Sequence, residues 1–167
     1  MFLSVDPKAL KDNVFSALND QWMLISAGNE VRRNGMTASW GGFGVLFHKN
    51  VATIYVRPQR YTYELVEEND TFALSFLEES YRPALKLFGS KSGRDCDKAE
   101  ESGLTWVKEG TDAPYFAEAS LVLICRKLYY DDLKPTQFLD TSLEEFYPQK
   151  DYHRMYIGEI IQALVKQ

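Results

Sequence analysis

Short apolar runs of strand length, separated by glycine, proline and charged residues, dominate the hydrophobic pattern of this chain. Residues 22–27 (WMLISA), 36–40 (MTASW), 51–56 (VATIYV), 71–77 (TFALSFL) and 119–130 (ASLVLICRKLYY) each predict a strand, the last long enough to curve. Residues 104–107 add a weaker one. Residues 154–164 (RMYIGEIIQAL) end the pattern as another, with Gly158 predicting a bulge or a close backbone approach. Helical spacing is rarer. Asp6 before Pro7 predicts a helix start, and Leu10, Val14 and Leu18 recur on one face until Asn19 and Asp20. Residues 61–68 (YTYELVEE) and 81–88 predict two more helices, and 97–102 a polar helical turn closed by Gly103. Gly41, Gly42 and Gly44 after MTASW predict a permissive glycine turn, residues 89–95 (GSKSGRD) a loop, and 131–147 an unpatterned connection. Strands outnumber helices and βαβ alternation is missing. The expectation is a mainly β fold, an antiparallel barrel or sandwich with added helices.

Composition changes this picture little. The chain has 167 residues, 45% of them hydrophobic and 26% charged, which suits one domain over residues 1–167 with a proper core. There are no repeats and no linker. The net charge of −5 argues against a general binder of nucleic acid or of membrane surfaces. No apolar stretch approaches the roughly 18 residues of a membrane span. The two cysteines, Cys96 and Cys125, have neither disulfide-framework nor zinc-ligand spacing, so the expectation is a soluble, cytoplasmic protein without a metal site, its thiols free.

Charge distribution changes it more. From Val31 to Tyr63 there is no Asp and no Glu, although the chain carries 24 acids. Arg32, Arg33, Lys49, Arg57 and Arg60 all fall in that window. A basic, hydroxyl-rich tract in an acidic chain points to an anionic ligand. Three stretches could bind it. Thr37 and Ser39 lie two residues apart on a strand and share a face, with the small Ala38 between them and Trp40 next; a solvated strand face is the plainer alternative. In VRPQRYTYE, Arg57 and Pro58 end a strand and Gln59, Arg60, Tyr61 and Thr62 open a helix, whose unpaired N–H groups and a guanidinium suit phosphate; an exposed arginine and a capping threonine are the alternative. Ser90, Lys91, Ser92 and Gly93 could wrap a phosphate without being a P-loop, or form a solvated loop. Two isolated histidines, His48 and His153, make no metal motif, and no nucleophile elbow is present. An enzyme of this kind would take its chemistry from a cofactor.

The tract NGMTASWGGFGVLFHKNVATIYVRPQRYTYE resembles the signature of flavin reductase-like proteins with the FMN-binding split β-barrel fold, close to flavoredoxins. The SKSGRD loop with Asp97 and Lys98, and His153 followed by YIGEI, match as well, so the resemblance runs from Leu18 to Ile160. It implies a homodimer of six-stranded split barrels with FMN at the interface. Thr37, Ala38, Ser39 and Trp40 would lie along flavin and ribityl chain. Arg57, Gln59, Arg60, Tyr61 and Thr62 would serve the ribityl and phosphate end, and Lys91, Ser92, Gly93 and Arg94 would close over the cofactor. His153 would sit on the nicotinamide or substrate side. The implied activity is an NAD(P)H-dependent flavin reductase, passing electrons to free flavin, a metal complex or a redox partner protein. The alternatives are an FMN-binding electron carrier of flavoredoxin type that does not oxidise NAD(P)H directly, and a binding module for pyridoxal phosphate or haem.

Overall fold

The computed structural model describes residues 1–108 and 110–167. The strands are β1 Phe2–Val5, β2 Met23–Gly28, β3 Arg33–Ala38, β4 Gly41–Leu46, β5 Lys49–Val56, β6 Thr71–Phe76, β7 Trp106–Val107, β8 Tyr115–Phe116, β9 Leu121–Asp132 and β10 Arg154–Lys166. The α-helices are α1 Val14–Ser16, α2 Tyr61–Glu68, α3 Arg82–Ser90 and α4 Lys98–Ser102. Fold class follows expectation: a mainly β, antiparallel sheet with added helices. The strand count exceeds the six expected. Eight strands form the main sheet, in the order β3-β2-β6-β9-β10-β5-β4 with β1 paired on β10, and β7 and β8 form a separate ribbon.

That order has a consequence for the site. β3 and β4 stand at opposite ends of the sheet yet follow each other in the chain, joined only by Ser39 and Trp40. The curled sheet is therefore split at this point, and the connection crosses the seam between its two free edges. The long pairing of β9 and β10 shifts register between Ile157 and Gly158 and again between Ile160 and Gln162, irregularities that bend and twist a strand pair. Gly158 also meets the expectation of a close approach: a Cβ there would lie 2.8 Å from the Phe72 ring and 2.9 Å from the Cys125 Cβ.

The strand sequences record which faces are covered. Every residue of β2 is buried, which is why its sequence reads as an apolar run broken only by Ser26, whose hydroxyl donates to Pro114 O at 2.6 Å. Met23 and Ile25 join Ile54, Phe72, Leu74, Leu123 and Tyr156 in one cluster, while Leu24 joins Leu85, Phe88 and Phe116 in a second cluster beneath α3. Each fully buried side chain of this size contributes about 1.5–3 kcal/mol of transfer free energy.

Strands β1 and β8 were not expected, and two of the expected elements take a different form. Asp6 caps Lys8 N at 2.9 Å with Pro7 in the first position, but that helix lasts only Pro7–Ala9. Asn13 then caps a new start at Val14, a π-turn spans Ala17–Gln21, and Trp22 breaks the run at φ 69°. Leu10, Val14 and Leu18 do pack together on the interior, so the apolar face was legible and its continuity was not. The second difference is the glycine tract, which is not a turn but edge strand β4. Gly41 alone needs its missing side chain, since a Cβ would meet Thr53 O at 2.7 Å. The chain reverses instead at Phe47 and His48, both at positive φ, in a two-residue hairpin.

Candidate functional site at the barrel seam

Three hollows line up along the seam. The first is a small cavity of about 110 Å³ between the start of α2, the end of α3 and the 90–98 loop. Gln59, Arg60, Tyr61 and Thr62 enter it from α2, Ser90, Lys91, Ser92 and Gly93 from the loop, and Asn34 and Lys98 complete it. Arg60 is the N-cap residue of α2, and no side chain caps that helix end. The first-turn amides thus lack the usual side-chain acceptor, the condition under which a helix start attracts an anion. Thr62 is fully buried and accepts a 2.9 Å bond from Asn34 Nδ2. Gly93 approaches the same asparagine so closely that a Cβ would fall 2.1 Å from Asn34 Oδ1.

The second hollow is a groove of about 250 Å³ lined by Met36, Thr37, Ala38, Ser39, Trp40, Tyr55, Arg57, Arg60 and His153. Arg60 belongs to both walls. The third, about 680 Å³ and more open, continues past Ser39, Trp40 and Tyr55 to Phe15, Leu18 and Asp20. Shared residues thus join a small polar cavity, a half-polar groove and a wide outer hollow into one elongated path. A separate apolar cavity of about 270 Å³, lined among others by Leu10, Val14, Phe43, Phe76 and Leu123, lies away from this path and gathers none of the expected site residues.

Most of the sequence-derived site residues come together here, but their charges are not free. The acid-free tract is acid-free only along the chain. Arg57 pairs with Asp151 at 2.5 Å and donates to Phe146 O at 2.8 Å, and Gln59 donates to the same Asp151 carboxylate. Arg32 bridges Glu64 and Glu68, Arg94 bonds Glu64 and Gln59 O, and Lys91 pairs with Glu101 at 2.5 Å. Only Arg60 and Lys98 in the small cavity hydrogen-bond solely to backbone carbonyls among the described residues. Those carbonyls belong to the end of α3 and the residue after it: Phe88 O and Gly89 O for Arg60, Phe88 O and Lys91 O for Lys98. Burial lowers the Arg60 pKa from its ordinary value, with Arg57 adding to the effect. Thr37 donates to Leu85 O at 2.5 Å, fixing β3 to α3.

His153 is brought to the groove by the start of β10. It is buried, its ring lies 4.9 Å from that of Trp40, and Tyr147 Oη is 2.8 Å from Nδ1. Which group donates in that contact is set by the imidazole tautomer. Burial, with Arg57 nearby, holds the imidazole neutral by lowering its pKa to about 4. Asn34, Tyr55 and Lys98 are absent from the sequence-derived set. Lys98 had a signal, since it stands three residues past the recognisable SKSGRD loop, next to Asp97; Asn34 and Tyr55 carry none beyond lying in the acid-free tract.

Residues 15–167 match the flavin reductase like domain family. The chain belongs to that family. Among curated proteins, a relative from Aeropyrum pernix described as uncharacterized is 33% identical over 100 residues, which are 59% of this chain and 38% of the relative. The chain thus spans well under half the length of that relative. The fold is shared with solved members of the flavin reductase group. An FMN-binding domain of a flavin reductases-like enzyme from Shewanella baltica gives a TM-score of 0.71 at 21% identity, over 99% of this chain and 77% of that one. Flavoredoxin of Desulfovibrio vulgaris gives 0.68 at 24% identity, over 87% and 69%. An NADH:FAD oxidoreductase of Streptomyces globisporus, solved with NAD and FAD fragments, gives 0.65 at 22% identity, over 87% and 74%. Among the described residues, no helix is long and apolar enough to cross a membrane and no cluster of acidic, cysteine or histidine side chains could hold a metal ion.

Proposed function

We propose that this chain binds FMN along the seam and works as an NAD(P)H-dependent flavin reductase. The observation that carries the reading is the continuous path from a cationic cavity of phosphate size, through Arg60, into the groove beside Trp40. The residues present fit the group: two cations with no carboxylate partner and an uncapped helix start at one end, hydroxyls in the middle, aromatic rings at the other. Arg60, Thr62, Ser92 and Gly93, with Lys91 at the rim, hold the phosphate. Thr37, Ala38 and Ser39 follow the ribityl chain along the β3 edge. Arg57 and Gln59 are positioned by Asp151, and Arg94 and Tyr61 form the outer wall, with Arg94 5.0 Å over the Tyr61 ring. FMN, when bound, supplies an acceptor for the hydride of a nicotinamide.

The chain's own contribution is placement. Trp40 and Tyr55 bound the groove and the outer hollow, which leaves room for a second planar ligand beside the first. Neutral His153 takes no proton at neutral pH. The outer hollow is open and bordered by Phe15, which is 85% exposed, so we place a second copy of the chain on that side.

The test begins with the absorption spectrum and FMN titration of the purified protein. Saturable quenching of FMN fluorescence is expected. Anaerobic stopped-flow mixing with NADH and with NADPH then separates the activities. Rapid bleaching of bound flavin by either nucleotide supports the reductase; binding of FMN with no bleaching by either would replace it with an electron carrier. A colourless protein that quenches no FMN overturns the flavin reading.

A further inference from the structure

We propose that Lys98 is a ligand-charged cation of the phosphate cavity: its amine takes up a proton as the phosphate dianion enters. The proposal rests on the flavin reading and adds to it a proton linkage. Lys98 is almost wholly buried, 4% exposed, an unusual place for lysine without a carboxylate. Its Nζ has two carbonyls for partners, Phe88 O and Lys91 O, each at 3.3 Å, and lies 5.0 Å from the Phe88 ring centroid. Among the described residues these weak acceptors, the Phe88 ring face, the end of α3 and the nearby Cys96 thiol are what offset its charge, and none is a carboxylate. Arg60 shares the Phe88 carbonyl at 3.1 Å, so two cations crowd one helix end across a cavity of about 110 Å³. An arrangement that only capped α3 would need one of them. Entry of a dianion between the two supplies the missing negative charge.

The surrounding groups leave Lys98 alone in the titration window. Burial, aided by Arg60, lowers its pKa to about 8. Arg60 stays protonated, as guanidinium does in proteins. From the 90–98 loop, burial pushes the Cys96 thiol upward, and Lys91 is raised by its pairing with Glu101 on α4. Glu101 is lowered by that same pairing, and Asp97 is occupied in capping Ala99 N and Glu100 N. Asn34 and Thr62 face the cavity from β3 and α2 without charge. The phosphate completes its second ionisation near pH 6, so it too is silent above pH 7.

Two measurements test this on the whole protein. FMN and riboflavin affinities are followed from pH 7 to 9. FMN binding is expected to weaken above pH 8, approaching tenfold per pH unit, while riboflavin binding stays flat. Calorimetry of FMN binding at pH 8.5 in two buffers of different ionisation enthalpy should show proton uptake, with none for riboflavin. Lys98→Arg should retain FMN affinity and lose the slope; Lys98→Met should lose both the slope and at least tenfold in affinity at pH 7. A flat FMN profile with no proton uptake in the wild type overturns the proposal even if neither variant folds. So does a slope that survives in Lys98→Arg. Failure of FMN to bind at any pH overturns the flavin reading and this inference together.

Discussion

Gly93→Ala is the sharpest probe of how the small cavity is built. An ordinary nonbonded contact for a Cβ begins near 3.4 Å, and here the new carbon would stand 2.1 Å from Asn34 Oδ1, 2.7 Å from its Cγ and 3.1 Å from the Tyr61 ring. A shift of more than an ångström is needed, and Asn34 is the part that can give. Asn34 is 6% exposed, and its Nδ2 is the donor to the fully buried Thr62 hydroxyl. Rotating it away breaks that 2.9 Å bond and leaves a buried polar group unsatisfied, which costs about 1–3 kcal/mol. Stiffening of the unfolded chain by alanine returns at most about 1 kcal/mol. From the middle of that range, about 2 kcal/mol, less at most about 1, the expected net loss is about 1 kcal/mol or more, with FMN binding impaired because the loop moves off α2. Urea denaturation of a double-mutant cycle with Asn34→Ala isolates the contact. Once Asn34 is cut back, the alanine at 93 should cost less than about 0.5 kcal/mol, giving a coupling of about 1 kcal/mol or more. Strict additivity, or a Gly93→Ala protein as stable as wild type, would show that the loop does not rest on Asn34 and would refute the argument.

Arg60→Ala should weaken FMN by about 1.5–3 kcal/mol, roughly 10- to 150-fold, and riboflavin far less, because only the phosphate meets the guanidinium; equal losses in parallel fluorescence titrations would remove Arg60 from the phosphate end. His153 predicts an acid limb of stability. Its folded pKa of about 4 lies below the ordinary 6.5, so its contribution is whole above pH 6.5 and is lost as pH falls toward 4, by up to about 3 kcal/mol. Urea midpoints at pH 7 and 5 should therefore fall less in His153→Phe than in wild type, and identical pH slopes would contradict a buried neutral imidazole.

The division between what the sequence disclosed and what it withheld has a physical basis. β2, β6 and the first half of β9 were legible because burial on both faces leaves apolar runs, β5 because its β-branched run marks a strand, and α2 because Pro58 and the VRPQRYTYE turn mark its start. β4 was hidden, since an edge strand needs only one covered face and its glycines imitate a turn. β1 was hidden because its pairing with residues 163–166 joins the two ends of the chain and leaves no local trace. The N-terminal helix kept its apolar face and lost its continuity to Asn13, whose side chain competes for the backbone. In the candidate site, the residues named from the sequence line common hollows, but most of their charges are paired. Asp151, Glu64, Glu68 and Glu101 reach Arg57, Arg94, Arg32 and Lys91 from other elements, and sequence distance cannot report that.

The two-residue crossing at Ser39 and Trp40 bears on how the fold opens. Sheet edges are where local unfolding begins, and here both edges, β3 and β4, end on the same dipeptide beside the groove. Fraying of either edge dismantles one wall of the binding path. By linkage, an occupant of that path stabilises both margins together, by an amount set by its concentration over its dissociation constant. A ligand bound there would act as a clasp on both margins of the sheet, β3 and β4.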